Sequence, residues 1–181
     1  MRLLLALLFA PSFAFAQAAP DTLLTNFSDP AASARWQTVN DNVMGGRSTG
    51  GPSFSDGLLI FEGSTNTRGG GFSSIRSATG GWADAEAVLL RVRGDSRRYE
   101  VDVQTGEREG FFPIAYRASF VASDEWTTIR LPVAEFTATS RGEPISGRNF
   151  DPSKAKTVGL FIYDGRDGAF RIEVDWIGLE R

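Results

Sequence analysis

The sequence predicts an all-β fold, an antiparallel β-sandwich of jelly-roll type, on three observations. Apolar and polar residues alternate with a period of two in segment after segment, so each segment buries one face and wets the other. Helical spacing hardly occurs. Glycine, at 20 of 181 residues, falls mainly between the alternating segments, where tight turns belong. About ten strands with no helix of useful length leave two sheets packed face to face as the way to close a core.

Taken in chain order, a helical turn is expected over residues 29–34, where Asp29 caps and Pro30 takes the first helical position. Residues 35–39, 58–62 and 71–76 read as weak strands. Residues 88–93 (VLLRVR), the turn Gly94-Asp95-Ser96 and residues 98–103 (RYEVDV) are expected to form a hairpin, with Tyr99, Val101 and Val103 on its apolar face. A second hairpin is expected from 114–121 through Ser123-Asp124-Glu125 to 126–131, where Pro132 ends the strand because it cannot donate to a ladder. A short helical turn follows at 133–136. The third expected hairpin joins 157–163 to 169–179 through 164–168, and Phe170, Ile172, Val174 and Trp176 alternate there with Arg171, Glu173 and Asp175. Residues 23–181 are expected to form one domain.

Composition excludes much chemistry. At 41% hydrophobic and 23% charged residues the chain is of ordinary globular make-up. It has no His and no Cys, so a Ser-His-Asp triad, a thiol nucleophile, a zinc or haem site and a disulfide are all out of reach. Nineteen basic against 22 acidic residues, a net charge of −3, argue against a nucleic-acid partner. No cofactor or metal is expected.

The first residues read as a leader. One Arg, the apolar run LLLALLFAPSFAFA and small residues Ala14 and Ala16 match a secretory signal over residues 1–16, with cleavage after Ala18 as the alternative. A spanning helix needs roughly 20 apolar residues, and this run is broken by Pro11 and Ser12. The expectation is therefore a periplasmic or secreted protein with no membrane span after processing.

Among the motifs, Trp36 to Ser48 is the most unusual stretch. Turn-forming Asn40, Asp41 and Asn42 precede Val43-Met44, then Gly45-Gly46, Arg47 and Ser48. One reading is a tight crossover whose glycines supply positive φ and whose Asn and Asp side chains cap the turn, with Met44 tucked inward. The other is a partner- or ligand-binding loop. Arg68-Gly-Gly-Gly-Phe72 lacks the spacing of a phosphate loop and reads as a bulged turn. Trp36 and Trp82, near glycines and turns, are candidates to stack on a sugar, whereas Trp126 and Trp176 are expected to pack in the core or at an edge. Asp41, Glu62, Asp102 and Asp175 can be nominated as a hydrolytic carboxylate pair, although a solvated face or turn explains each. Asp124, Glu125, Asp164 and Asp167 have oxygen ligands for calcium but no EF-hand spacing.

Together, the blocks Asp41-Asn-Val-Met-Gly-Gly-Arg-Ser48, Gly69-Gly-Gly-Phe-Ser-Ser-Ile-Arg76, Leu90 to Tyr99, Glu125 to Pro132 with Phe136, Arg141-Gly142, Val158 to Ile162 and Gly168 to Asp175 resemble the complex I intermediate-associated protein family. The resemblance covers the chain from about Leu23 to Leu179. It implies a galactose-binding-like jelly roll and a non-enzymatic, chaperone-like role in assembling NADH:ubiquinone oxidoreductase or another membrane or envelope complex. It supplies no catalytic residue. The alternative function is an exported carbohydrate-binding module, in which Asn40, Asp41 and Asn42 bond sugar hydroxyls.

Overall fold

A computed structural model describes residues 19–29, 31 and 34–181, with only the main chain of Val43 and Met44. The expected leader, with either cleavage point, lies outside the described residues. So does part of the expected turn at 29–34, of which the Asp29 carboxylate accepting from the Ala31 N–H at 2.8 Å is described.

Thirteen strands run through the described residues: β1 (Thr22–Asn26), β2 (Gln37–Asn40), β3 (Thr49–Ser55), β4 (Leu58–Thr65), β5 (Ser73–Ala78), β6 (Ala87–Gly94), β7 (Arg98–Glu109), β8 (Phe112–Val121), β9 (Thr127–Pro132), β10 (Thr137–Ser140), β11 (Glu143–Asn149), β12 (Thr157–Ile162) and β13 (Gly168–Glu180). The expected helical turn after Pro132 is a single 3-10 turn, Val133–Glu135. One sheet has the order β3-β4-β13-β6-β9, with β1 also on β13; the other runs β11-β10-β8-β7-β12-β5-β2. Every pairing is antiparallel. The core lies between the sheets, with Leu59, Leu90 and Ile172 from the six-stranded sheet facing Ile75, Val101 and Leu160 from the seven-stranded one, all fully buried. Burial of each such side chain contributes roughly 1.5–3 kcal/mol.

None of the three expected hairpins pairs with itself. β6 and β7, β8 and β9, and β12 and β13 each place one strand in either sheet, so their short connections are corners that cross the core. Period-two alternation records that a strand has one buried face, and that holds equally for a strand whose successor lies in the opposite sheet. The corners hold one another: the Gly94 N–H donates to the Ser123 carbonyl at 2.5 Å and Ser96 to Ala122 at 2.8 Å. Arg97, 4% exposed, adds a clasp, donating to both Asp164 carboxylate oxygens at 2.9 and 2.5 Å and to the carbonyls of Arg166, Gly168 and Ala169. The true hairpins are β3–β4, β7–β8 and β10–β11. Two of them turn on residue pairs that are both left-handed, Asp56-Gly57 (φ 53° and 77°) and Arg141-Gly142 (54° and 84°), as a two-residue turn between twisted strands requires.

A β-bulge between Val174 and Trp176 breaks the cleanest alternation in the sequence. One extra residue turns every later side chain over, so Ile177 and Leu179 enter the core and Trp176 faces outward, half-buried opposite Arg91. Trp126 is also half-buried outside the core, beneath the guanidinium of Arg93 at 4.9 Å.

Candidate functional site

The loop singled out in the sequence folds around one carboxylate. β2 ends at Asn40, and residues Asp41–Met44 form a 3-10 turn closed by Gly45 at φ 86°. Asp41 is fully buried. Its Oδ1 accepts from the Ser48 N–H at 2.8 Å, and its Oδ2 accepts from the Ser48 hydroxyl and the Gly71 N–H, each at 2.6 Å. The Ser48 hydroxyl in turn accepts from the Asn66 N–H at 2.9 Å. Burial pushes the Asp41 carboxyl up, but the Ser48 hydroxyl and the Gly71 and Ser48 amides outweigh it and hold the group below the ordinary carboxylate range. A Cβ on Gly46 or on Gly70 would fall on the Asp41 carboxyl group. Gly46 is required for want of room, and the left-handed turn is supplied by Gly45. Two of the sequence blocks quoted above, Asp41–Ser48 and Gly69–Arg76, thus meet on one side chain.

The remaining predicted site residues divide by exposure. Asn40 bridges β5 to β3, accepting from the Ser73 hydroxyl at 2.6 Å and donating to the Gly50 carbonyl at 3.1 Å. Asn42, Gly45 and Arg47 are exposed, Gly46 is half-buried and Ser48 is buried; the Met44 side chain lies outside the described set. Trp36 and Trp82, expected to offer a stacking face, are 8% and 1% exposed. Trp36 packs on Phe27 with ring centres 5.9 Å apart, and Trp82 donates its Nε1 to the Thr79 hydroxyl at 2.9 Å against Phe150. The two tryptophans that were candidates for a stacking face are buried, and Trp176, expected in the core or at an edge, lies half-buried outside the core. The nominated carboxylates also stand apart, with Glu62 and Asp175 on the six-stranded sheet paired to Arg171 and Arg91. Of the calcium candidates, Asp164 is bound by Arg97, and Asp167 accepts from the Thr67 N–H at 2.6 Å.

A feature that the sequence reading passed over lies on the outer face of the seven-stranded sheet. Register places Gln37, Arg76, Gly159, Asp102, Arg117, Thr137 and Asn149 in one row across all seven strands. The neighbouring row holds Val39, Ser74, Phe161, Glu100 and Ser119. Asp102 is 1% exposed although it points away from the core. Its Oδ2 accepts from Arg117 Nε at 2.8 Å, and the same guanidinium lies 3.6 Å from the centre of the Phe161 ring. Phe72 stacks on Phe161 at 5.4 Å and Tyr163 meets it edge-on. Three buried polar atoms on this face have no hydrogen-bond partner: Arg76 Nε, Asp102 Oδ1 and Thr157 Oγ1. Apolar–polar alternation identified Asp102 as outward-facing, but its burial depends on neighbouring strands that no local pattern names.

Two antiparallel sheets joined by crossing corners define a galactose-binding-like β-sandwich. Two solved carbohydrate-binding modules share that fold. The family 11 module of the Clostridium thermocellum cellulase Lic26A-Cel5E superposes with a TM-score of 0.62 at 14% identity, over 90% of this chain and 96% of the module. The Clostridium thermocellum family 11 module in complex with a β-1,3-1,4-mixed-linked tetrasaccharide gives 0.61 at 15%, over 91% and 100%.

The sequence relationship lies elsewhere. The family model described as complex I intermediate-associated protein 30 matches residues 25–174, and the chain belongs to that family. The mitochondrial complex I intermediate-associated protein 30 of Drosophila melanogaster is 25% identical over 184 residues, covering 86% of this chain and 61% of the relative. A probable counterpart in Caenorhabditis elegans, also mitochondrial, is 27% identical over 103 residues, covering 54% of this chain and 30% of the relative. This chain therefore spans between about a third and three-fifths of the length of these relatives. Their mitochondrial names overturn the periplasmic or secreted location expected from the N-terminal residues.

Proposed function

We propose that this chain is a non-enzymatic, protein-binding assembly factor for NADH:ubiquinone oxidoreductase, and that residues 23–181 act as its single binding unit. The observation that carries this reading is the family match over residues 25–174, with relatives named for their association with complex I intermediates. The loop supports it by what it does with its polar groups. Asp41 and Ser48 spend their hydrogen bonds on the fold, which leaves Asn42, Gly45 and Arg47 as the part of the loop open to a partner. The Asp41 N–H donates to the Phe72 carbonyl at 3.3 Å, and Phe72 stacks on Phe161, so the loop borders the outer face of the seven-stranded sheet. Affinity capture from detergent-solubilised membranes tests the reading. Co-recovery of subunits of NADH:ubiquinone oxidoreductase, together with loss of that enzyme's activity on deletion, is expected; recovery of none above background, with activity intact, overturns it.

The carbohydrate-binding reading has one observation in its favour, the sandwich shared with sugar-binding modules. At 14–15% identity that likeness speaks for the fold alone. Titrating intrinsic tryptophan fluorescence with soluble glycans decides it, since Trp126 and Trp176 report from the outer surface, and a flat response removes this option.

A further inference from the structure

A two-residue turn between antiparallel strands is served by glycine and small polar residues, which meet its backbone demands and face water. The β7–β8 hairpin departs from this. Glu109 pairs with Phe112, so the turn is Gly110-Phe111. Gly110 alone is left-handed there, at φ 60°, as the first central residue of a type II′ turn is. Nothing in that geometry asks for a phenylalanine at the second position, yet Phe111 stands there 91% exposed, the most open large apolar side chain among the described residues. Phe112 follows it at 46%. Adjacent aromatic side chains open to water and rimmed by charge mark an interaction site.

The rim is cationic. Arg108 Nη2 donates to the Phe111 carbonyl at 2.8 Å, which holds that guanidinium against the turn. The neighbouring hairpin turns at the same end of the sheet, because β10 pairs with β8, and its Arg141 guanidinium lies 4.8 Å from the centre of the Phe112 ring. Arg148 reaches from β11 to Glu109 at 3.4 Å. With Glu143 the other exposed acid here, three exposed arginines face two exposed glutamates. This end is therefore locally positive although the whole chain carries −3.

Shape and area decide what such a tip fits. Its two phenylalanines, one of them only half open, offer roughly 300 Å² of apolar surface on a convex apex, against about 800 Å² that each partner of a stable protein complex buries. A bilayer surface demands neither a broad face nor a matching recess. It takes aromatic side chains at the boundary of headgroup and acyl chain, and guanidiniums fork onto its phosphates. We infer that the Gly110-Phe111 tip docks this chain on the surface of an anionic lipid bilayer, with Phe111 below the headgroups and Arg108 and Arg141 on the phosphates. The inference goes beyond the assembly-factor reading and does not depend on it, since lipid alone is the ligand.

The test uses the full chain and sucrose-loaded vesicles, of phosphatidylcholine alone or with about one-third phosphatidylglycerol. Co-sedimentation is expected with the anionic vesicles and should weaken as salt is raised. Phe111→Ser should lower it about tenfold or more, and Arg108→Gln with Arg141→Gln about tenfold on anionic vesicles only. Thermal melting should stay close to wild type, because these side chains are exposed. Depth gives a second readout. After subtraction of the native emission, the tryptophan of Phe111→Trp should be quenched by bromine on the lipid acyl chains, whereas that of Val121→Trp, 55% exposed at the far end of β8, should not. Absence of co-sedimentation, or equal quenching at the two positions, overturns the inference. Binding that Phe111→Ser leaves unchanged belongs to the apolar N-terminal residues and overturns it too. If the wild type ignores vesicles while Phe111→Ser loses NADH:ubiquinone oxidoreductase subunits in the capture experiment, the tip fits a recess in a protein, and the lipid assignment falls. The vesicles contain no protein, so either outcome leaves capture as the separate test of the factor reading.

Discussion

Two buried aspartates, at the ends of a path from the β2–β3 loop to the outer face of the seven-stranded sheet, are held in different ways. Asp41 is enclosed by main chain and saturated: three donors within 2.8 Å hold it, and two glycines leave it room. Asp102 is just as hidden, yet only one of its oxygens is bonded in protein, to Arg117. Saturation ties Asp41 to the fold, because replacing it strands several amides at once. Asp102 is held through one side chain, so its place rests on Arg117 alone. Burial alone would have grouped them; the hydrogen bonds separate them.

The largest effect expected is from Gly46→Val. A β-branched side chain there overlaps the Asp41 carboxyl group and drives it from its donors, so it combines overpacking with the loss of a buried network, costing more than about 4 kcal/mol. Thermal melting should show a chain that is largely unfolded or melts more than about 10 °C lower. Gly45→Val, with open space around its Cβ and φ at 86°, should cost only the left-handed strain, about 1–2 kcal/mol. Equal losses at the two positions would mean that backbone conformation, and not room for Asp41, governs the loop.

Asp41→Ala comes next. It leaves the Ser48 and Gly71 amides without acceptors, at about 3 kcal/mol in urea unfolding. Its coupling to Gly46 is the sharper measurement. In the double variant Gly46→Ala/Asp41→Ala the methyl group enters space the carboxyl has vacated, so the two losses should sum to less than their parts by about 1 kcal/mol or more. Strict additivity would break the picture of a glycine chosen for the aspartate.

Acid should separate the same residue from its neighbours. The folded-state pKa of Asp41 lies below its unfolded value of 3.8, so the unfolded chain takes up the proton first. The contribution is complete above about pH 4 and disappears as pH falls through the folded value. Wild-type stability should therefore drop more steeply below pH 4 than that of Asp41→Asn, which has no proton to gain at this site. Parallel curves would show that Asp41 adds nothing to the acid limb, which other carboxyls held low, Asp164 beside Arg97 among them, would then carry.

Much of this was legible in the sequence, and the part that was not has physical reasons. Alternation around Tyr99, Val101 and Val103 located the buried face of β7 correctly, and the Gly-rich blocks marked the Asp41 nest. The partner of each strand was not legible, because β6 and β7 alternate in the same way whether they pair or cross the core. Asp56-Gly57 carried a true hairpin signal that was overlooked beside the short apolar run of β4, and β3 (TGGPSFS) hides a strand behind glycine and proline. Trp176 changed faces through one extra residue. For the site, the chemistry of Asp41 was visible but its direction was not: a polar loop residue can face a ligand or its own main chain. Asp102 was visible only as one of four nominated carboxylates, since its bond to Arg117 depends on a strand pairing that no local pattern names.

The smallest effect on stability, and the most informative contrast with Asp41, is expected from Asp102→Asn. The amide is the same size, its oxygen can still accept from Arg117 Nε, and Arg117 keeps Glu100 at 3.9 Å and the face of Phe161 at 3.6 Å. With its charge still answered by these two neighbours, Arg117 is not left stranded in the way that makes broken buried pairs costly. The cost should therefore stay near 1 kcal/mol, a fall of about 3 °C in Tm for a chain of this size. If Asp102→Asn instead melts as low as Asp41→Ala, Asp102 supports the fold as strongly as Asp41, and the distinction between an aspartate saturated by main chain and one held by a single side chain is lost.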